Sequence, residues 1–299
     1  MEEKFWDMSK VTNRAEKIAE PARDHGRALG AILVEQGRLN PNDVDEIQRF
    51  AGVNGMRFGD AAQKLGLLTQ RDVDLAIAQQ FNYPTVPRGG DSGVADDVVA
   101  AYLPQSELIE PLRALRSQLS LRWVSEHKIL AITSPGRGEG RSWVAANLAT
   151  VFAQMGKRTL LIDSDMRHPR QHLLFNLNNA VGLSALLTGR AGREIVCRIH
   201  PHLRLFVLPA GTLPPNPQEL LGRPVFHLIL ELFADQYDFV IMDTPAVSDV
   251  ADAQIVAARA DAAIILARRN HTRQAQLSTT MRNLTESGVN VIGSVITDH

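Results

Sequence analysis

A single cysteine, three tyrosines and an aromatic content of 5% distinguish this 299-residue sequence by what it has little of. Cys197 excludes an internal disulfide, fits a reducing compartment, and reads as a core thiol rather than a nucleophile. A net charge of −1 lacks the excess of one sign that nucleic acid or an anionic membrane would select. No apolar run approaches the roughly 18 residues that a membrane-crossing helix needs. The opening stretch MEEKFWDMSK has no signal-peptide apolar region. These absences predict a cytoplasmic protein that reaches a membrane only through a partner. What is present is 44% hydrophobic residues, enough for a sizeable core, on a length that allows one large domain or two.

Residues 1–26 are polar without a clear apolar face and read as a tail, with Phe5 and Trp6 as docking candidates. An internal repeat follows. ALGAILVEQGRLNPNDVDEIQRF starts at Ala28 and RFGDAAQKLGLLTQRDVDLAIAQQ at Arg57, an offset of 29 residues. Each copy has glycine at its third position (Gly30, Gly59) and tenth position (Gly37, Gly66). An N-cap candidate follows (Asn40, Thr69), then an amphipathic helix marked by Val44 or Val73. Each copy is a helix–turn–helix unit that cannot bury its own apolar face, so the two pack into a small helical domain over 27–83. The Pro-, Gly- and Asp-rich stretch around 83–97 reads as a linker, taken to span 84–105.

Residues 106–299 alternate strand and helix. Strands are expected at 128–133, 158–163, 203–208, 238–243, 262–267 and 290–296, and helices at 142–155, 217–235, 249–259 and 273–287. Apolar strands separated by helices predict an α/β fold, a mostly parallel sheet covered on both faces.

Three segments carry chemistry. SPGRGEGRS, residues 134–142, joins a strand to a helix. Pro135 stands where a P-loop has its first glycine, and Arg141 replaces the lysine. Gly136, Gly138 and Gly140 let backbone N–H groups converge on a phosphate, and Ser142 offers a hydroxyl for Mg²⁺ at the helix start. Arg141 supplies a fixed charge without the compact ammonium of lysine. Arg137, Glu139 and Trp143 complete the candidate cradle. LLIDSDMR, residues 160–167, ends an apolar run in Asp163, Asp165 and Arg167. In an extended chain the two carboxylates would point the same way. Their oxygens suit Mg²⁺ or its waters, and one is a candidate base for a hydroxyl. FVIMDTP, residues 239–245, ends a buried strand in Asp243, the place of a Walker B metal residue. Each segment alone is arguable as an ordinary strand end or turn. Three in order on one sheet point to a phosphate-transfer site.

With these residues in view, the sequence resembles the bacterial tyrosine kinases. DSDMR resembles their Walker A′ motif, VIMDTP their Walker B, and AGTLPPNPQELL (210–221) a loop of the family. EPLRALR sets Glu110, Arg113 and Arg116 at the spacing with which that family assembles rings. SPGRGEGRS is similar to the exopolysaccharide chain-length-determinant branch, the EpsG type. The resemblance spans about 106–296 and implies a deviant-Walker P-loop fold related to MinD and ParA. It implies ATP and Mg²⁺, with Ser142, Asp163 and Asp243 around the metal and Asp163, Asp165, Arg167 and Arg141 in catalysis. It also implies a homo-oligomeric ring, and a membrane polysaccharide co-polymerase whose cytoplasmic tail activates the kinase at the inner membrane. The sequence departs from the family in having no tyrosine cluster: Tyr83, Tyr102 and Tyr237 are scattered. Thr297 stands for the family's strand-end asparagine near the base. An ATPase switch of the MinD kind, and a nucleotide sensor, are the alternative readings.

The repeat domain resembles the N-terminal domain of type II secretion ATPases, the MshEN type, whose paired motifs bind cyclic di-GMP. Arg57, Gly59, Gly66 and Gln80 match in the second copy, together with Phe58. In the first copy Ala28 and Ala51 replace the arginine and glutamine. The domain is therefore expected to act in docking or as a scaffold rather than as a cyclic di-GMP site.

Overall fold

The protein is described here by a computed structural model covering residues 29–81, 83–86, 93–122, 127–248 and 251–298. The expected tail at 1–26, with Phe5 and Trp6, lies outside the described residues, as does Ala28. Backbone contacts divide the chain between Tyr83 and Pro84 into two units.

In the smaller unit, four helices follow the predicted repeat: α1 (Leu29–Glu35), α2 (Pro41–Asn54), α3 (Phe58–Lys64) and α4 (Gln70–Gln80). Asn40 and Thr69 are the N-caps, as their residue types require. Asn40 accepts from Asp43 N at 3.0 Å while Asp43 accepts from Asn40 N at 2.8 Å. Thr69 and Asp72 repeat the exchange at 3.2 and 3.0 Å. These reciprocal bonds satisfy backbone N–H groups that a helix start otherwise leaves bare. Ile32, Leu33, Ile47, Ala61, Ala62 and Val73 form the core between the copies. The repeated glycines have a packing cause. A Cβ on Gly30 would lie 2.8 Å from Val44 Cγ1, and one on Gly59 2.8 Å from Val73 Cγ1. Valine is stiff at χ1 and cannot swing aside. Gly37 and Gly66 instead end their helices at φ +68° and +70°, a region costly for other residues.

The larger unit is built on a seven-stranded sheet: β1 (Ile129–Thr133), β2 (Thr159–Asp163), β3 (Cys197–Arg198), β4 (Leu205–Leu208), β5 (Phe239–Asp243), β6 (Ala262–Arg268) and β7 (Val291–Thr297). Their order is β3-β4-β2-β5-β1-β6-β7, all parallel except the β3 edge. β1, β2 and β5 are buried at every position. Their alternate side chains enter two apolar layers, so helices must cover both faces. On one face lie α5 (Val99–Tyr102), α6 (Glu110–Arg122) and α7 (Arg141–Gln154), where Phe152 stacks on Phe239 at 4.0 Å between ring centroids. On the other lie α9 (Leu183–Leu187), α10 (Pro217–Gly222), α11 (Pro224–Gln236), α12 (Asp252–Ala257) and α13 (Gln274–Glu286). The short α8 (Gln171–Leu174) sits between β2 and α9 in sequence.

Four expectations need correction. The described residues of the stretch 84–105, 84–86 and 93–105, are not a linker. Val86, Val98, Ala100, Ala101 and Tyr102 are buried in the core of the larger unit. Two polar residues buried on α7 hold this segment's backbone: Asn147 accepts from Ala100 N at 2.9 Å and donates to Asp97 O at 3.0 Å, and Gln154 donates to Ala100 O at 2.7 Å. The helix expected over 217–235 is two helices, because the residue before a proline is pushed out of the α region; Arg223, before Pro224, has ψ 141°. Cys197 is half-buried on edge strand β3, not in the core, and burial pushes its thiol pKa up. Asp165 does not continue strand β2. The chain turns there, with Asp165 N donating to Asp163 Oδ1 at 3.2 Å.

Candidate functional site

The C-terminal ends of β1, β2 and β5 meet where open parallel sheets bind ligands. β1 runs into the loop 134–142. Gly138 and Gly140 have φ of +71° and +86°, and Gly140 caps α7, so the loop turns tightly into a helix start, which favours an anion. Three braces hold this loop. Glu139, 2% exposed, accepts from Gly136 N at 2.8 Å and from the Thr272 hydroxyl. Thr297 donates to Glu139 O at 3.1 Å, and Arg268 to Gly138 O at 3.1 Å. Arg141 turns back on the loop: Nη1 donates to Gly136 O at 2.6 Å and to Ser134 Oγ, while Nε reaches Thr244 O at 2.9 Å. Arg137 is exposed on the loop, and Trp143 packs its ring against the core.

Asp163 and Asp243 are register partners on β2 and β5. Adjacent strands lie about 4.8 Å apart, so the paired backbones bring two carboxylates together, both fully buried. Asp163 Oδ2 accepts from Arg170 N at 3.0 Å and Gln171 N at 2.9 Å. Burial still pushes its pKa well up, reinforced by the negative charges of Asp243 and Asp165. Burial also raises Asp243, to about 6, against the Gln171 amide, the Ser142 hydroxyl and Arg141. Asp165 is 7% exposed and caps the next turn by accepting from His168 N at 2.9 Å. Arg167 donates to both oxygens of Asp252, at 2.8 and 3.5 Å.

The donor set fits Mg²⁺. Asp243 Oδ1 is buried with no hydrogen-bond partner, and two neighbouring buried carboxylates resist ionisation until a cation faces them. Among the described residues no three His, Cys, Asp or Glu form a metal cage. Mg²⁺ does not require one, because it binds through one or two carboxylates plus substrate phosphates. Ser142 at the start of α7 and Asp243 are the residues that would hold it, with Asp163 beside them.

The sequence motifs thus converge on one strand-end site. Four residues that complete it were not singled out in the sequence: Gln171, Asp252, Arg268 and Thr272. The ring-spacing residues lie elsewhere. Glu110 is exposed and 3.6 Å from Arg113, whose side chain is 17% exposed, while Arg116 Nη1 donates to Val151 O at 3.3 Å within the same unit. In the smaller unit, Gly59 lies under Val73, Gly66 forms a turn, Arg57 is exposed before α3, and Gln80 ends α4.

Comparison with known proteins agrees with this geometry. The family model described as an AAA domain matches residues 127–290. A Bacillus subtilis (strain 168) protein named tyrosine-protein kinase YwqD is 36% identical over 201 residues, which is 67% of this chain and 85% of that protein. The solved kinase domain of the Escherichia coli tyrosine kinase ETK superposes with a TM-score of 0.64 at 31% identity, covering 72% of this chain and 80% of that one. The septum site-determining protein MinD of Pyrococcus horikoshii OT3 shares the fold, with a TM-score of 0.50 at 20% identity over 56% of this chain and 69% of that one.

Proposed function

The chain belongs to the bacterial tyrosine-kinase family, and from that premise we propose that it transfers the γ-phosphoryl group of ATP to a tyrosine of another polypeptide. The observation that carries this reading is the meeting of the loop 134–142, Asp163, Asp165 and Asp243 at one end of the sheet. The loop's N–H groups would cradle the phosphates, with Ser142 and Asp243 as metal residues. Bound Mg²⁺ would neutralise charge on the phosphate oxygens. Asp163 has both oxygens engaged by backbone N–H groups. Asp165, slightly exposed, is therefore the better base for the tyrosine hydroxyl.

Tyrosine placement supports a substrate on another chain. Tyr102 and Tyr237 are 2% and 6% exposed, and only Tyr83, at 39%, is open to a second active site. The reading extends to control of exopolysaccharide chain length, polymerisation or export, supported by the resemblance of residues 134–142 to that branch. It includes activation by the cytoplasmic tail of a membrane co-polymerase, and ring assembly through Glu110, Arg113 and Arg116. No described helix is long and apolar enough to cross a membrane, so the reading places the protein at the inner membrane through that partner.

The test is incubation with labelled ATP and Mg²⁺, with and without the co-polymerase tail. Phosphotyrosine on the partner that disappears in Asp165→Asn is expected. Phosphate release without phosphotyrosine would leave an ATPase switch instead.

A further inference from the structure

Gln171 joins every element of the metal site. Its backbone N–H donates to Asp163 Oδ2 at 2.9 Å. Its side-chain Nε2 donates to Asp243 Oδ2 at 2.7 Å and to Ser142 O at 3.1 Å. One fully buried residue on α8 thus touches the end of β2, the end of β5 and the first turn of α7.

The side-chain amide has only one workable orientation. The Ser142 carbonyl can only accept, and so can an ionised Asp243. Turning the amide over would set Gln171 Oε1 against both. In the orientation that satisfies them, Oε1 is buried with no hydrogen-bond partner, and so is Asp243 Oδ1. A buried acceptor left unpaired costs roughly 1–3 kcal/mol. Two of them within one hydrogen-bonded cluster mark a place that lacks donors or a cation. A divalent ion with its bound water supplies both.

We propose that Gln171 is a positioning residue for Mg²⁺: its amide group fixes Asp243 and the Ser142 turn before the ion arrives, and its carbonyl accepts from water on the ion. The proposal rests on the Mg²⁺–nucleotide reading above. It assigns to Gln171 no contact with the transferred phosphoryl group.

The test uses the full chain and Gln171→Met, which keeps the side chain's length and removes both polar ends; Gln171→Leu serves if the first variant does not fold. ADP binding is measured by calorimetry in excess chelator and again across a Mg²⁺ titration, with thermal unfolding recorded alongside. Losing such an outer partner weakens metal affinity roughly 10- to 100-fold. The expected result is that weakening in the Mg²⁺ dependence, with chelator-condition ADP affinity within about twofold of the parent. Mg²⁺ dependence unchanged in a folded variant overturns the proposal. A parallel fall in both affinities and in the melting temperature also overturns it, because Gln171 would then serve packing alone. If the parent chain itself shows no Mg²⁺-dependent nucleotide binding, the underlying reading fails and the proposal with it.

Discussion

Asp163 and Asp243 face each other as register partners across β2 and β5, each buried and each with its pKa raised by burial. Two carboxylates placed this way oppose folding at neutral pH unless a cation is bound. The site is therefore shaped for its ligand at the expense of the ligand-free protein.

The sign of the pH effect follows from that pair. Burial raises Asp243 from 3.8 to about 6 in the folded protein. The native state then holds its proton more tightly than the unfolded chain does. Stability from this group is fully present below about pH 4 and is lost as pH rises towards about 6. Asp243→Asn should raise the ligand-free melting temperature near neutral pH and flatten its decline between pH 4 and 6. The same variant should lose Mg²⁺-dependent nucleotide binding. Scanning calorimetry across pH decides it; a variant less stable than the parent near neutral pH would contradict the account.

Arg141 makes a second prediction. Its guanidinium spans Gly136 O, Ser134 Oγ and Thr244 O. It therefore braces the loop as well as charging it. Lysine keeps the charge but cannot reproduce the planar fork of donors. Arg141→Lys should hold nucleotide within about tenfold of the parent while losing about 1–2 kcal/mol of stability. Arg141→Ala should lose both, with nucleotide affinity down by at least about tenfold, since a charge-assisted hydrogen bond contributes about 1.5–3 kcal/mol. Calorimetric titration and melting curves separate the two effects. Unchanged nucleotide binding in Arg141→Ala would mean that backbone N–H groups alone cradle the phosphate.

The parts legible in the sequence were those with a local signature. Apolar runs ending in Asp163 and Asp243 announce buried parallel strands with acids at their ends. Asn40 and Thr69 announce helix starts by residue type. Gln171 carries no such signal, since one polar residue in HPRQHLL becomes important only when β5 and α7 arrive beside it. Asp252 reads as an ordinary helix start until Arg167 reaches it from 85 positions away. Residues 84–105 were misread because proline and glycine dominate their first half. Their second half, Val98 to Tyr102, is too short to show a period, and its hydrogen bonds come from Asn147 and Gln154, distant in sequence. Gly30 and Gly59 are legible as repeats, but only the facing valines give the reason.

The Arg167–Asp252 pair separates positioning from binding. Asp252 is 1% exposed, and Arg167 is the partner that neutralises it. Arg167→Ala leaves a buried carboxylate uncompensated and should cost about 3 kcal/mol of stability. Asp252→Asn keeps the shape and weakens the grip on the guanidinium. Nucleotide binding should stay within about threefold, because neither residue lies on the loop 134–142, while phosphotyrosine formation falls by about tenfold or more as the Walker A′ turn loosens. Equal losses in binding and transfer would show that the pair supports the whole site rather than the turn after Asp165.

The smaller unit offers a test independent of any nucleotide. Gly59 admits no Cβ because Val73 Cγ1 already stands 2.8 Å from where it would be. Gly59→Ala should destabilise this unit by about 1–3 kcal/mol through overpacking. Adding Val73→Ala to the same chain removes the obstructing methyls and should recover part of the loss, since residues in direct contact couple. Hydrogen exchange on α3 and α4 reads the effect locally, apart from the larger unit. If the double variant is as unstable as the sum of the singles, the glycine is not there to admit the valine, and its recurrence at Gly30 needs another cause.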